Sequence, residues 1–163
     1  MRSGIAHSPT LRSAGAGALA GFIASVVQVT VGLGIDKLAL PPEHNNNIAP
    51  RLITRIFQRQ GEPPNTARDW FLGTLFHIGY GVTWGVIFGL VRRWTGIPAP
   101  LVSVAMGLSI YLIAFSKIGA GTKTGTEVHP KYRDPRKQLS LIAIVTTFVL
   151  TTTGAYERLS ARP

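Results

Sequence analysis

Four long stretches of the sequence contain no Asp, Glu, Lys or Arg, and His77 is the only histidine in any of them. At membrane depth an ionisable side chain can relay a proton, bind a metal or ligate a pigment. Proton relays and metal sites need a second ionisable group nearby, and no other span supplies one. We therefore predict a structural His77, hydrogen-bonded to Gln28, Ser25 or Tyr111. Cofactor binding by His77, as the single axial ligand of a haem or chlorophyll, stays open.

Two polar residues before His77 could extend it into a polar path. Gln28 and Asp36 stand eight positions apart on one face of a predicted helix, with Gly32 between them. A path through Asp36, Gln28 and His77 would suit a transporter. We favour the simpler interpretation, an interfacial charge at Asp36 and one interhelical hydrogen bond from Gln28.

The remaining chemistry-bearing residues do not form a catalytic set. The segment 119–126 is rich in Gly and Thr, but Thr122 precedes Lys123 where a phosphate-binding loop needs glycine. Glu127 and His129 are too few for a metal site. Paired carboxylates, His-Glu-x-x-His, an aspartate cluster and Gly-x-Ser-x-Gly are absent from the sequence. We predict neither an enzyme nor a metal protein.

The uncharged stretches decide the fold class. Only 15 % of the 163 residues are charged, against roughly 25 % in a soluble domain. The stretches cover 13–35, 70–91, 94–116 and 138–156. Each approaches or exceeds the roughly 20 residues that a helix needs to cross the hydrocarbon layer. We predict an all-α antiparallel bundle of four transmembrane helices in one membrane domain, 1–163, with spans at about 14–35, 70–91, 98–117 and 139–156.

The first long connection contains a short amphipathic helix at about 50–60. Its apolar face comprises Leu52, Ile53, Ile56 and Phe57. Arginines recur every four residues on the polar face, at Arg51, Arg55 and Arg59. A helix this short is marginal in isolation, so a surface must cover its apolar face. We predict that it lies along the membrane interface, with packing against the bundle or a partner as the alternative.

The net charge of +10 indicates lipid headgroups and not nucleic acid, because the basic residues flank the uncharged stretches. The residues predicted to contact anionic headgroups or a protein partner are Arg51, Arg55, Arg59, Lys131, Arg133, Arg136 and Lys137. The termini and the short connection share one side of the membrane, opposite both long connections. The Lys and Arg counts leave open which side is cytoplasmic.

Small residues recur every four positions along three of the spans, which lets helix backbones approach closely in lipid. In the second span they are Gly73, Gly81, Gly85 and Gly89, with His77 in the same row. In the first span they are Gly17, Gly21 and Ser25, with Gln28 and Gly32 continuing the face. The third span offers Ser103 and Gly107. These stripes predict a tight bundle.

The segment 14–91 resembles a family of small bacterial membrane proteins. Leu40-Pro41-Pro42 follows the first span, and Phe76-His77-Ile78-Gly79-Tyr80-Gly81 lies in the second. This arrangement resembles the YagU-like family of functionally uncharacterised inner-membrane proteins. The resemblance implies four spans and a multi-pass location in the bacterial inner membrane, and it implies no activity.

Two functions follow from these patterns. The glycine stripes, the interfacial helix and the missing catalytic sets favour a non-enzymatic accessory or scaffolding subunit of a larger membrane assembly. Its partners would be lipid, other membrane-protein subunits or further copies of the chain. The alternative is a component of a small oligomeric transporter or channel, since four spans alone enclose little volume.

Overall fold

The computed structural model describes residues 8–41 and 47–161. Within them the chain is helical and contains no strand, which confirms the all-α prediction. The helices are α1 (Pro9–Leu38), α2 (Ile48–Arg59), α3 (Thr66–Thr95), α4 (Ala99–Phe115), α5 (Ala120–Thr124) and α6 (Pro135–Ser160). A short 3-10 turn, Pro130–Tyr132, precedes α6. The amphipathic helix predicted at 50–60 is α2.

Among the described residues, four helical segments are long and apolar enough to cross a membrane, as expected of a multi-pass membrane protein: α1, α3, Ala99–Thr124 and α6. Three helices extend past the predicted spans because side chains cap their first turns. The Ser8 hydroxyl accepts from the Leu11 N–H. Asn65 accepts from Arg68, and Asp134 accepts from Arg136 and Lys137. Helix α3 ends at Gly96, whose φ of 65° suits glycine.

Helices α1 and α3 pack with their backbones almost in contact. A Cβ built on Gly17 or Gly85 would overlap the carbonyl oxygen of the other residue. Gly21 and Gly81 approach in a similar way, and a Cβ on Gly89 would overlap the carbonyl of Ser13. A Cβ on Gly81 would also overlap the Ser25 hydroxyl. The two predicted stripes therefore face each other along one helix contact.

Helix α6 completes the core by packing against α1 and α4. Ala20, Ala24, Leu141 and Phe148 belong to one buried apolar cluster. Gly107 of α4 does not face a second glycine, since its neighbours are the side chains of Val149 and Val145. Helix α4 contacts α3 only sparsely, although the two helices are consecutive.

Polar contacts join the helices at the end that carries the termini. The Tyr156 hydroxyl donates to the Gly89 carbonyl at 3.4 Å. Arg92 and Glu157 form an ion pair at 3.1 Å between α3 and α6. The hydroxyls of Ser103 and Thr153 hydrogen-bond across α4 and α6. These contacts hold α3, α4 and α6 together where α3 turns into α4.

Helix α2 rests on the beginning of α3, so the bundle provides part of the covering surface that its apolar face needs, although Ile56 stays exposed. The backbone of α2 packs directly against Gly73 of α3, since a Cβ on Gly73 would lie 2.6 Å from the Pro50 nitrogen. The Thr54 hydroxyl donates to Asp69 at 2.7 Å. The Arg68 guanidinium stacks over the Phe57 ring, 3.8 Å from its centroid. The bundle therefore covers part of the apolar face of α2.

Candidate functional site

A cavity of about 230 Å³ lies between the spanning helices, toward the end that carries the long connections. Its walls come from α1, α3, α4 and α6, and residues of α2 and α5 line its outer end. Half-exposed Phe76 of α3 and Ile113 of α4 belong to its lining, so the cavity opens to the surface of the bundle. Along α3 the lining runs from Trp70 to Gly81, about 16 Å at the rise of an α-helix.

His77 and Tyr80 line this mostly apolar cavity. The imidazole hydrogen-bonds to the backbone of Ser25, one of the three partners that the sequence predicted. Its Nε2 is buried without a hydrogen-bonding partner among the described residues. The Tyr80 hydroxyl is also buried, and the Trp84 side chain lies beside it. Tyr111, another predicted partner of His77, instead accepts a hydrogen bond from the Gln138 amide.

The three residues of the predicted polar path meet at this cavity, since Asp36, Gln28 and His77 all line it. Asp36 lies near enough to Lys137 to act on it electrostatically. The path therefore runs from the charged end of α1 toward the membrane interior. At the inner end of the cavity, away from the long connections, lie the buried side chains of Ile110 and Phe148.

A buried charge cluster lies beside the outer end of the cavity, and Glu127 is at its centre. The Glu127 side chain is only 3 % exposed. Its carboxylate is 3.6 Å from the Arg51 guanidinium, 3.7 Å from the Lys137 ammonium and 3.9 Å from Nε of Arg133. A Cβ on Gly121, which lines the cavity, would lie 3.3 Å from the Glu127 side chain. The cluster and the cavity are therefore neighbours.

Arg133 also secures the ends of two spanning helices. Its guanidinium donates to the carbonyls of Phe115 and Val128, each at 3.0 Å, and to the Gln138 side chain at 2.9 Å. These bonds join the end of α4, the second long connection and the start of α6. Because the guanidinium is buried and multiply bonded, it fixes the outer end of the bundle.

The seven basic residues predicted to contact headgroups or a partner fall into two groups. Arg55, Arg59, Lys131 and Arg136 are exposed. Arg51, Arg133 and Lys137 turn toward Glu127, and Arg133 and Lys137 are buried. The sequence analysis weighed Glu127 only as a metal ligand and missed this cluster. The described residues hold no group of three or more His, Cys, Asp or Glu that could bind a metal ion.

A second buried carboxylate, Asp69, was also missed. It accepts from the Thr54 hydroxyl at 2.7 Å and from Nε of Arg68 at 3.0 Å. The arginines of α2 repeat every four residues and therefore mark a polar helix face in the sequence. Asp69 belongs to no such repeat and directly precedes the uncharged stretch 70–91. Its position beside that stretch was the available signal, because a carboxylate at the edge of a span needs a partner.

Comparisons with known proteins found no match to this chain among protein-family models, curated proteins or solved structures. Pro42, which is part of the motif on which the YagU-like resemblance depends, lies outside the described residues. His77 and Tyr80, the other part of that motif, line the cavity.

Proposed function

We propose that the chain is a non-enzymatic membrane protein that serves as an accessory or scaffolding subunit of a larger membrane assembly. The YagU-like resemblance of residues 14–91 supports a location in the bacterial inner membrane. The observation that carries the proposal is the contrast between a core of closely packed helices and the loosely attached α4.

Helix α4 has one extensive helical neighbour, α6, and presents a continuous apolar stripe on its outer side. The stripe consists of Leu101, Val104, Leu108 and Leu112, all about 60 % exposed. Their spacing of three or four residues places them on one face. Such a face can pack against a spanning helix of another subunit or a second copy, because close packing drives helix association in lipid.

Single-cysteine crosslinking in native membranes tests this proposal, since the chain has no cysteine of its own. Leu108→Cys places a thiol on the α4 stripe, and Leu150→Cys is the matched control on α6, with 64 % exposure against 60 %. After labelling with benzophenone-maleimide and illumination, we expect the Leu108 variant to crosslink to one defined partner chain or to a second copy, and the Leu150 variant not to crosslink. Equal products from both positions, or none along the α4 stripe, would refute the proposal.

A second candidate function is a component of a small oligomeric transporter, favoured by the convergence of Asp36, Gln28 and His77 on one cavity. Against it, the buried side chains of Ile110 and Phe148 lie at the inner side of the cavity. Proton or cation flux into proteoliposomes that disappears in His77→Leu would favour the transporter over the scaffold.

A further inference from the structure

The cavity between the spanning helices has the depth of one lipid leaflet. On α3 its lining begins at Trp70, the first residue of the uncharged stretch 70–91, and ends at Gly81, near the middle of that stretch. This length is about 16 Å at the rise of an α-helix, and half of the hydrocarbon core is about 15 Å. Tryptophan is enriched at the membrane interface. The cavity therefore reaches from the headgroup level to the middle of the bilayer.

Polarity falls along the cavity in the same direction. Asp36 and Thr126 line the outer end, whereas Ile110, Val145 and Phe148 line the inner end. Among the described residues of the lining, Asp36 alone carries a charge. A lipid has the same order of polarity within one leaflet, with its head at the interface and its chain pointing inward.

The walls offer little that would select a polar group deeper in the cavity. Nε2 of His77 and the hydroxyl of Tyr80 are both buried within the wall and do not reach the cavity surface. A dry apolar cavity of about 150 Å³ holds one benzene molecule. This cavity of about 230 Å³ is drawn out along several turns of α3, so it has room for one extended hydrocarbon chain.

The cavity opens sideways, toward the lipid. Phe76 of α3 and Ile113 of α4 belong to its lining, and both are about half-exposed. Helices α3 and α4 also contact each other only sparsely. A lipid with two chains can therefore insert one of them between the helices while its head stays at the interface and its second chain stays in the bilayer.

We propose that this cavity binds one acyl chain of a bilayer phospholipid. The head lies at the level of Asp36, and the chain runs inward past Phe76 toward Phe148. Contact with the walls holds the chain, because close packing stabilises association within lipid. The inference is independent of the scaffolding role, since Leu108 and the rest of the α4 stripe lie outside the lining.

Gly32→Leu tests the site from inside the cavity. Gly32 lines it, and a Cβ built there meets only the Ile144 side chain, at an ordinary contact distance of 3.9 Å. The larger side chain therefore fits without displacing α1 and fills the space of the acyl chain. Gly34→Leu is the matched control, because Gly34 lies outside the lining and a Cβ there meets nothing within 4 Å.

The assay titrates dioleoylphosphatidylcholine into the full chain, purified in a mild detergent and stripped of lipid, and detects the complex by native mass spectrometry. The wild type and Gly34→Leu should bind one phospholipid ahead of any further adduct, and Gly32→Leu should lose this binding. Helical circular dichroism checks that both variants are folded.

Two further probes separate the chain from the head. Oleoyl-lysophosphatidylcholine has one chain and should displace the phospholipid from the wild type, because only one chain enters the cavity. Glycerophosphocholine has the same head without a chain and should not displace it. Sodium oleate has the chain without the phosphate head, and it should bind more weakly than the lysolipid because its carboxylate would lie near Asp36.

Three outcomes would overturn the proposal. The first is equal phospholipid binding by Gly32→Leu and Gly34→Leu. The second is displacement by glycerophosphocholine, which would place recognition at the head. The third is oleate that binds more tightly than the lysolipid, which would assign the cavity to a free fatty acid. The probes are compared on the wild type, so they decide the question even where Gly32→Leu fails to fold. Crosslinking from α4 judges the scaffolding role separately.

Discussion

The contact between α1 and α3 predicts that two glycine-to-alanine substitutions on one helix change stability in opposite directions. In Gly85→Ala the new methyl would overlap the Gly17 carbonyl and lie 2.8 Å from the Gly21 Cα. In Gly79→Ala, six residues earlier on α3, the methyl meets nothing within 4 Å. The two variants share the same chemical change and differ only in what the added carbon touches.

The size of the effect follows from the displacement required. Ordinary contact begins at 3.4 Å, so the Gly21 Cα must move by at least about 0.6 Å from 2.8 Å, and the Gly17 carbonyl must move further. Both obstacles are backbone atoms, so a rotamer change cannot relieve them. Overpacking of this kind costs about 1–3 kcal/mol. Gly79→Ala instead gains helix propensity, about 0.8–1.0 kcal/mol in an exposed helix.

The assay is an unfolding titration with a denaturing detergent, followed by the loss of helical circular dichroism. Gly85→Ala should lower the free energy of unfolding by about 1–3 kcal/mol, and Gly85→Leu should lower it further. Gly79→Ala should leave it unchanged or raise it. Equal stability of Gly85→Ala and Gly79→Ala would show that α1 and α3 are not in close contact in the folded protein.

Three further predictions concern buried polar contacts. Glu127→Gln should lower the free energy of unfolding by about 3–5 kcal/mol because it leaves buried cations without their carboxylate, whereas Glu62→Gln, at an exposed site, should cost less than about 1 kcal/mol in the same titration. Gly81→Ala should be partly rescued by Ser25→Gly, which removes the overlapping hydroxyl. A double-mutant cycle with additive effects would contradict that contact. Asp69→Asn should speed hydrogen exchange throughout α2, and unchanged exchange would show that the Thr54 contact does not hold it.

The spanning helices and their glycine stripes could be predicted because both depend on local patterns. An uncharged stretch of about 20 residues has few alternatives to a membrane helix. Glycine every fourth position marks a face before the partner is known. The stripes predicted a tight bundle, and the structure adds that those of the first and second spans face each other. Gly107 was misleading as part of a stripe, because valine side chains fill the space beside it.

The charge cluster could not be predicted because its members are distant in sequence. Arg51, Glu127 and Lys137 come from α2, the second long connection and α6. Each looked like an ordinary polar residue at the membrane surface. Only the fold brings α2 and the second connection together at one end of the bundle, and no spacing in the sequence encodes that distance.

The position of the cavity follows from one interruption in the stripe of α3. From Gly89 to Gly81 the row consists of glycines, and α1 lies against it with almost no separation. The next residue in the row, His77, is the first with a large side chain, and it faces Ser25. Beyond Ser25 the glycine of α1 no longer lies against α3, since a Cβ built on Gly32 would meet only the Ile144 side chain of α6, at 3.9 Å.

One turn further along α3, glycine returns at Gly73, but the backbone seated there belongs to α2 and not to α1. The row thus has three parts. The glycines from Gly89 to Gly81 contact α1, His77 interrupts the glycines with a large polar side chain, and Gly73 contacts α2 at the outer end of the cavity. A glycine at position 77 would serve close packing better, so a histidine there is difficult to explain by packing alone. The His77 side chain instead separates α1 from α3 and contacts the backbone of Ser25, so it joins the two helices at the point where the direct glycine contact stops.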